Sequence, residues 1–282
     1  MLHCAALRES MKFLITGASG FVGQDLIREA GLDGKLQALP FSLRHDDFTL
    51  VPQDITHIVH LAGKTGVAAS WQDPESFYKI NIEATLKVLE FCRSRKLHLT
   101  LVSTCAYGSI ATPVSEDTPL RPTNPYSHSK KLCEDLALFY AEFYSVPVSI
   151  LRVFNIFGPG QSDDFVIPRI LAQIKNQESQ ILTLKNSDSV RDFIYISDLS
   201  SAILHSMQKN LSGIYNVGTG HGTSIGDVAQ LLQKLLGTNK TLQVENLYSP
   251  FEVKSMIANN SKILATGWKP RFSLIDGLKQ LL

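Results

Sequence analysis

The chain has few cysteines and almost no excess of charge of either sign. Four cysteines in 282 residues show no paired spacing, which argues against a disulfide framework and predicts a reduced, cytoplasmic protein. The formal net charge of +1 excludes the strong overall electrostatic field expected of a protein that binds nucleic acid or a membrane surface. No apolar run has transmembrane length. Residues 1–10 lack the apolar core of a signal peptide and are predicted to form a flexible extension. No cluster of metal ligands is visible, so no metal is expected.

A glycine-rich segment near the start of the chain lies between an apolar run and a helical pattern. Residues 12–16 predict a buried strand, and apolar residues follow the glycines at helical spacing. Strand, glycine turn and helix are the context of a dinucleotide fingerprint, in which the phosphates lie at the helix N-terminus. Gly17 would allow the tight turn, Gly20 the approach to the pyrophosphate, and Gly23 close helix packing. The Gly-x-x-Gly-x-x-Gly spacing also occurs as a plain turn in other α/β proteins, which remains an alternative.

Strands and helices alternate along the chain. The pattern predicts strands at 36–41, 55–63 (with the exit loop), 97–102 and 148–153, and helices at 75–95 and 126–144. The polar stretch 42–53 is too short for a full strand–helix unit. We therefore predict an α/β fold with a Rossmann-like, doubly wound parallel sheet and a smaller C-terminal α+β lobe. Ligands bind such sheets at the carboxyl ends of the strands, and one cleft could collect the residues at four strand ends, Gly17, Gly63, Ser103 and Asn155.

Tyr126 and Lys130 form the most informative pair. Four residues apart on a helix, they lie on one face. A nearby ammonium lowers the pKa of a tyrosine hydroxyl, so that the pair could exchange a proton near neutral pH. Taken alone, Tyr-x-x-x-Lys is also common as an exposed helix pair.

Together these motifs resemble the extended short-chain dehydrogenases/reductases, which include nucleotide-sugar epimerases, dehydratases and ketoreductases. The resemblance spans residues 11 to about 220 in family order, and the tail at Gly267-Trp268-Lys269-Pro270 fits as well. The matching runs are 17–23, 60–63, Asn81, 103–108, Tyr126 with Lys130, 151–155, 191–194 and 215–218.

The resemblance implies a catalytic Ser/Thr, Tyr and Lys. Tyr126 would supply the proton, and Lys130 would lower its pKa and hold the nicotinamide ribose. For the hydroxyl, which polarises the substrate carbonyl, Ser103 is preferred over Thr104 when positions are counted back from Tyr107-Gly108. The resemblance also implies a set of cofactor-binding residues, namely Gly17, Ser19, Gly20, Phe21, Val22, Gly23, Ser42, Arg44, Leu61, Ala62, Gly63, Asn81, Tyr126 and Lys130.

The end of the second strand indicates which cofactor is used. NAD-binding relatives place an acid there for the ribose 2′-hydroxyl, whereas an Arg accommodates a 2′-phosphate. Ser42 and Arg44 stand at this place, so NADP(H) is favoured and NAD(H) stays possible. The alternative is that Arg44 is a solvated loop residue.

The loop after Ser103 narrows the choice among the reactions that the family catalyses. The 4,6-dehydratases of the family carry Thr-Asp-Glu here, and Ser103-Thr104-Cys105-Ala106 has neither carboxylate. Cys105 resembles the cysteine of GDP-fucose synthase, but Phe165 occupies the place of its histidine partner, so that Cys105 is interpreted as a small buried residue. The run from Phe157 to Pro168 is similar to GDP-4-keto-6-deoxy-mannose reductases. We therefore expect a 4-ketoreductase, with a nucleotide-sugar 4-epimerase and a non-catalytic dinucleotide-binding protein as alternatives.

The expected substrate is a nucleotide-diphosphate sugar. By resemblance Asn155 and Arg191 contact the diphosphate, and Thr104 and Val166 also face substrate, although Arg191 could instead pair with Asp192 or Asp198. Relatives carry a second Arg near residue 250; here the run is Ser249-Pro250-Phe251-Glu252, with Lys254 as a substitute. The base cannot be read from the sequence.

The chain is expected to form two lobes and a homodimer. A dinucleotide-binding domain would comprise residues 11–160 plus 191–217, and a substrate lobe would comprise 161–190 and 218–282. Family relatives commonly dimerise through the helices at about 75–95 and 126–145. Both helices carry apolar residues beyond a narrow stripe, which fits dimerisation or plain coverage of the sheet.

Overall fold

The centre of the protein is a six-stranded parallel sheet. The computed structural model describes residues 11–34, 36–245 and 253–282, so the predicted extension at 1–10 and the run Ser249-Pro250-Phe251-Glu252 lie outside the described residues. The strand order is β2-β1-β3-β4-β5-β9, with every pairing parallel. The prediction of a Rossmann-like α/β fold is confirmed. The strands are β1 (Met11–Thr16), β2 (Leu36–Phe41), β3 (Ile55–His60), β4 (His98–Thr104), β5 (Val148–Val153) and β9 (Gly213–Val217).

Helices cover both faces of this sheet. One apolar core joins the sheet to α1 and α6 through residues such as Leu26 and Ile203. A second core joins the opposite face to α3 and α4 through Leu89 and Ala137. The nearly continuous apolar strands follow from burial on both faces. The helices are α1 (Phe21–Asp33), α2 (Val67–Gln72), α3 (Pro74–Arg95), α4 (Pro125–Tyr144) and α6 (Ile196–Gln208).

The connection from β2 to β3 is shortened, as the polar stretch predicts. It contains a single 3₁₀ turn, Phe48–Leu50. Phe48 stacks between Phe41 of β2 and Phe91 of α3, with ring centroids 4.6 and 4.3 Å apart. One aromatic side chain thus closes the edge of the core where a helix would otherwise lie.

Smaller sheets and helices form the rest of the molecule. β8 (Val190–Tyr195) pairs with β6 (Asn155–Phe157), β10 (Gly222–Ser224) and β12 (Ser255–Met256), and β7 (Ile181–Lys185) pairs with β11 (Thr241–Glu245). β8 therefore belongs to the small sheet, while α6 and β9 return the chain to the large one. The division into two lobes at the predicted boundaries remains a prediction. The remaining helices are α5 (Val166–Lys175), α7 (Ile225–Leu236), α8 (Ser261–Leu264) and α9 (Leu274–Lys279).

Within the described residues no helix is long and apolar enough to cross a membrane. In the same part of the chain, no three His, Cys, Asp or Glu side chains come together to hold a metal ion.

Candidate active site

The glycine turn forms a cradle that side chains would fill. Gly17 has a φ of +76°, and a Cβ there would lie 2.7 Å from the Ala62 nitrogen. A Cβ on Gly23 would overlap the Gly17 carbonyl oxygen. Gly20 is the N-cap of the 13-residue helix α1, and it supplies no side chain to cap the first N–H groups. A narrow, glycine-lined helix N-terminus of this kind fits a dinucleotide pyrophosphate.

The start of α4 holds the proposed proton donor in place. Asn124 and Ser127 form a reciprocal capping box, and Pro125 occupies the first turn, which together fix where the helix begins. Tyr126 therefore lies in the first turn, with the Phe77 ring edge-on to it at 6.3 Å. Lys130 follows one turn later and is only 9% exposed. The predicted i, i+4 pair is on one helix, as expected.

Thr104, rather than Ser103, lies against Tyr126, which favours Thr104 over the predicted Ser103 as the catalytic hydroxyl. The Thr104 side chain lies near enough to the Tyr126 hydroxyl to lower its pKa by a hydrogen-bonding interaction. Ser103 is buried and donates its proton to the Glu134 carboxylate at 2.5 Å. The physical reason is the alternation of strand side chains: neighbouring residues of β4 point to opposite faces. A hydroxyl that donates to a buried carboxylate cannot also donate to a substrate oxygen.

A buried ion pair lies behind β4, and no motif in the sequence predicts it. Glu134 accepts from Ser103 and from Arg152, whose Nε lies 3.0 Å from the carboxylate. Arg152 also donates to the Tyr107 hydroxyl, which donates to Asn216. The network ties α4 to β4, β5 and β9. The signal that could have revealed Glu134 is its spacing, because it stands four residues after Lys130 on the same helix face.

The pKa of Tyr126 is raised, whereas the spacing of Tyr126 and Lys130 predicts that the ammonium lowers it. Burial raises the pKa of Tyr126 to about 12, and the hydrogen bond with Thr104 opposes this rise. Burial also lowers the pKa of Lys130, while Cys133 and Glu134 oppose that change. Desolvation is thus the largest cause of the pKa shift of each group in the protein alone. A tyrosine with this pKa carries its proton at neutral pH, which is the state a proton donor needs.

Asn81 shapes the loop that follows β3. Its amide oxygen accepts the Lys64 N–H at 2.6 Å, and its amide nitrogen donates to the Lys64 carbonyl at 3.2 Å and to the Ser129 hydroxyl at 2.9 Å. A Cβ on Gly63 would lie 2.9 Å from the same amide oxygen. Asn81 therefore holds the exit loop of β3 against α4. Its direct contact with a cofactor stays a prediction.

Ser42 and Arg44 lie in the turn that follows β2. The Asp46 carboxylate accepts the Ser42 backbone N–H at 2.6 Å, and the Ser42 hydroxyl accepts the Arg44 N–H at 3.4 Å. Arg44 is exposed, and it forms no salt bridge with any residue that the structure describes. The turn thus presents a cation beside the strand end nearest the glycine cradle.

The predicted substrate residues lie on the small sheet and beside it. β6 pairs with β8 so that Asn155 is opposite Phe193, which places Asn155 close to Arg191 in register. Arg191 donates to the carbonyls of Val190 and Lys254 at 2.9 and 3.4 Å. Val166 opens α5.

The two acids that could have paired with Arg191 are engaged elsewhere. Asp192 accepts from Thr219, Gly220 and Ala258. Asp198 accepts the backbone N–H groups of Arg271 and Phe272.

Cys105 lies between the catalytic and substrate residues. Burial raises the pKa of Cys105 to about 12, and the positive charge of Arg191 opposes this rise. The same thiol also raises the pKa of Tyr126. Cys105 is therefore a protonated thiol at neutral pH, and its side chain is partly buried rather than fully buried as predicted.

A glycine cradle together with a Thr104, Tyr126 and Lys130 set, of which Lys130 is buried, fits an NAD(P)-dependent short-chain dehydrogenase/reductase. The chain belongs to the GDP-mannose 4,6 dehydratase family, whose model matches residues 49–281. It is 29% identical to the GDP-6-deoxy-D-mannose reductase of Pseudomonas aeruginosa, over 97% of this chain and 96% of that protein. It is 28% identical to the UDP-glucuronate 4-epimerase of Thermodesulfobacterium geofontis, over 95% of this chain and 94% of that protein.

Solved structures show the same two activities among similar proteins. RMD from Pseudomonas aeruginosa complexed with NADPH superposes with a TM-score of 0.87 at 28% identity, covering 96% of this chain and 97% of that one. UDP-glucuronic acid 4-epimerase from Bacillus cereus in complex with UDP-glucuronic acid and NAD superposes with a TM-score of 0.86 at 29% identity and the same coverage. This protein is therefore an enzyme of the nucleotide-sugar epimerase and reductase type with a nicotinamide dinucleotide cofactor.

Proposed function

We propose that this enzyme reduces the C4 carbonyl of a 4-keto-6-deoxy sugar carried on a nucleoside diphosphate. When bound, NADPH would supply the hydride for the carbonyl carbon and would leave as NADP⁺. Thr104 donates a hydrogen bond to the carbonyl oxygen, where negative charge develops. Tyr126 then gives its proton to that oxygen, which completes the alcohol. Lys130 would compensate the charge left on the tyrosine and would help to hold the nicotinamide ribose.

The observation that carries the reductase proposal is the turn after β2. Arg44 is exposed there beside Ser42, and the Asp46 carboxylate is turned back onto the Ser42 N–H. A cation and a hydroxyl suit the 2′-phosphate of NADPH, whereas NAD-binding relatives of this fold class place an acid at the strand end. NADPH suits an enzyme that carries out a net reduction and releases the oxidised cofactor after each turnover.

Removal of the Arg44 charge tests this cofactor preference. Arg44→Ala should raise the Kd of NADPH about tenfold or more, because one charge-assisted contact to a phosphate is lost. The Kd of NADH should change less than about twofold. Both constants are measured by fluorescence titration of the purified protein.

A matched control for this experiment is Arg95→Ala. Arg95 is also an arginine near the surface, although partly buried, and its side chain donates to the Pro52 carbonyl at the opposite end of the sheet. Its replacement should leave both Kd values unchanged. An equal loss of NADPH and NADH affinity in Arg44→Ala would contradict the assignment of the 2′-phosphate contact.

The second candidate is a nucleotide-sugar 4-epimerase that retains NAD. The similarity to the UDP-glucuronic acid 4-epimerase with bound NAD favours this second candidate. That epimerase resembles this chain about as closely as the reductase does, in both sequence identity and TM-score. An epimerase keeps its cofactor through both half-reactions, whereas a reductase exchanges it. Mass spectrometry of the denatured, purified protein distinguishes the two: co-purified NAD(H) near one equivalent supports the epimerase, and a cofactor-free protein that prefers NADPH supports the reductase.

Dehydration is not proposed despite the name of the family. Elimination of water needs an additional acid and base, and the loop after Thr104 carries Cys105 and Ala106 instead of two carboxylates. Cys105 keeps its proton at neutral pH because burial raises its pKa to about 12. It therefore cannot replace the missing base.

For the substrate we propose a diphosphate site on the small sheet. Asn155 and Arg191 come from neighbouring strands. The charge of Arg191 lowers the pKa of Cys105, and Cys105 in turn raises the pKa of Tyr126, so the three side chains lie near one another. A diphosphate bound at Arg191 would thus extend its sugar towards the catalytic hydroxyls. Thr104 and Val166 would contact the sugar.

We also propose that two copies pair through α3 and α4. Aromatic side chains lie exposed on the C-terminal half of α4, and their rings pack on one another at 4.6 and 6.0 Å. A contiguous apolar surface of this kind is typical of an interaction site. The exposed residues are Leu86 of α3 and Leu138, Phe139, Phe143 and Tyr144 of α4.

A further inference from the structure

His60 ends β3 beneath the proposed cofactor site and is only 1% exposed. Its Nδ1 lies 2.7 Å from the Thr16 hydroxyl, at the end of β1. Its Nε2 lies 3.2 Å from the Thr85 hydroxyl of α3. The ring therefore bridges the strand that leads into the glycine turn and the helix that carries Asn81.

The hydrogen-bond partners at both ends fix where the protons lie. The Thr85 hydroxyl donates to the Asn81 carbonyl at 2.8 Å, so it accepts from His60, and Nε2 carries the proton. The Thr16 hydroxyl accepts the Ala62 N–H at 3.3 Å, so its own proton goes to Nδ1. Every buried donor then has an acceptor, as buried polar groups require.

The other protonation states leave a donor without an acceptor. If Nδ1 carried the proton, Thr16 would accept from both His60 and Ala62. Its own buried proton would then have no acceptor among the residues that the structure describes. An imidazolium would have the same defect and would add a second positive charge near Lys130.

We infer that His60 is a positioning residue, held as the neutral Nε2–H tautomer, which couples the glycine cradle to α3 and α4. On one side the chain of hydrogen bonds reaches Ala62, which lies against Gly17. On the other side it reaches Asn81, which holds Lys64 and Ser129. Ser129 belongs to the turn of α4 between Tyr126 and Lys130. This role of His60 rests on the proposed dinucleotide site. It adds to that site a residue that aligns the glycine cradle with α4.

The electrostatic surroundings of His60 agree with the neutral form. Burial and, to a smaller extent, the charge of Lys130 lower the pKa of His60 to about 3. Cys133 also lies beside Lys130 and Thr85, and its pKa is raised by burial, so that it is a neutral thiol. The ring should therefore keep one protonation state throughout the pH range in which the enzyme works.

Nitrogen NMR of the histidine side chains tests the tautomer without any cofactor. In protein labelled with ¹⁵N at the imidazoles, His60 should show a protonated Nε2 and an unprotonated Nδ1, with no titration between pH 5 and pH 9. Its signals are assigned from the spectrum of His60→Gln. An Nδ1–H tautomer, or a midpoint near pH 6.5, would overturn the inference.

Thr85→Val tests the coupling to the cofactor site. The valine keeps the shape of the side chain but removes the acceptor for Nε2–H and the donor to Asn81, so the Kd of NADPH should rise about tenfold. The control is His57→Gln, on the same strand but bonded to Asn210 at 3.0 Å away from the cradle. It should lower the melting temperature without changing the Kd.

For each variant, the change in the Kd of NADPH is compared with the change in melting temperature. If Thr85 had a purely structural role, the Kd would rise in proportion to the loss of stability in both Thr85→Val and His57→Gln. An unchanged Kd in Thr85→Val, or an equal rise in the control, would overturn the coupling. Wild-type protein that binds neither NADPH nor NAD would refute the proposed function, while the NMR result would still decide the tautomer.

Discussion

Tyr126 is the side chain on which the proposed proton transfer depends. Tyr126→Phe removes the hydroxyl and keeps the ring against Phe77, so turnover should fall about 10²- to 10⁴-fold. The Kd of the dinucleotide should stay within about twofold of wild type. Steady-state kinetics with a 4-keto sugar nucleotide, together with cofactor titration, measure both quantities. Turnover that survives the substitution would remove Tyr126 as the acid.

Thr104 and Ser103 should respond differently to replacement by alanine. Thr104→Ala deletes the hydroxyl that faces Tyr126, so kcat should fall about 10²-fold or more with little change in melting temperature. Ser103→Ala leaves the Glu134 carboxylate with one partner fewer, which should cost about 1–3 kcal/mol of unfolding free energy. Urea denaturation and kinetics of both variants are the measurements. The reverse pattern would restore Ser103 as the catalytic hydroxyl.

The sequence could predict individual residues where spacing alone carries the chemistry. The three glycines and the i, i+4 pair of Tyr126 and Lys130 lie where their spacing places them. The choice between Ser103 and Thr104 depends on which face of β4 each occupies. Counting from Tyr107 could not decide this, because the loop length between strand and tyrosine is not fixed by any local rule. Glu134 and His60 were missed because their partners come from distant parts of the chain.

At the scale of elements, α4 should carry the dimer contact on its C-terminal half. Phe143 is 62% exposed within the aromatic group, and Phe143→Glu places a charge where the partner helix would pack. The variant should be monomeric by sedimentation at concentrations at which the wild type is dimeric. Leu50→Glu is the control, because Leu50 is 82% exposed but stands in the 3₁₀ turn between β2 and β3. A monomeric wild type would contradict the proposal.

Long elements with a clear period were predictable, and short ones were not. β2 and β5 occupy the predicted residues, and α3 and α4 begin one residue earlier than expected. Each has enough apolar residues to show its period. β6, β10 and β12 have two or three residues each and exist through pairing around β8. Such strands carry no pattern of their own, because distant partners define them.

At the scale of the whole molecule, buried histidines should make the fold sensitive to acid. Burial and the neighbouring His57 lower the pKa of His98 to about 4, and burial lowers the pKa of His57 as well. The unfolded chain, with histidine near pKa 6.5, then binds more protons than the folded one. Stability should fall as pH drops from 6.5 towards 4, by about 2 kcal/mol from His98 alone between pH 7 and pH 5.

A substitution at His98 isolates its share of this acid sensitivity. His98 Nε2 has no hydrogen-bond partner among the described residues, so His98→Phe removes the proton-binding site without breaking a bond of that nitrogen. The unfolding free energy, measured in urea at a series of pH values, should depend less steeply on pH in the variant. An unchanged slope would show that other groups cause the acid sensitivity.

In the proposed site, chemistry and substrate recognition are carried by different sheets of the molecule. Thr104, Tyr126 and Lys130 belong to β4 and α4 at the large sheet, whereas Asn155 and Arg191 belong to β6 and β8. Sequence changes in the small sheet can therefore alter which sugar nucleotide is accepted while the reacting groups keep their alignment. This separation makes the protein a suitable starting point for directed evolution, with randomised positions confined to β6, β8 and the start of α5.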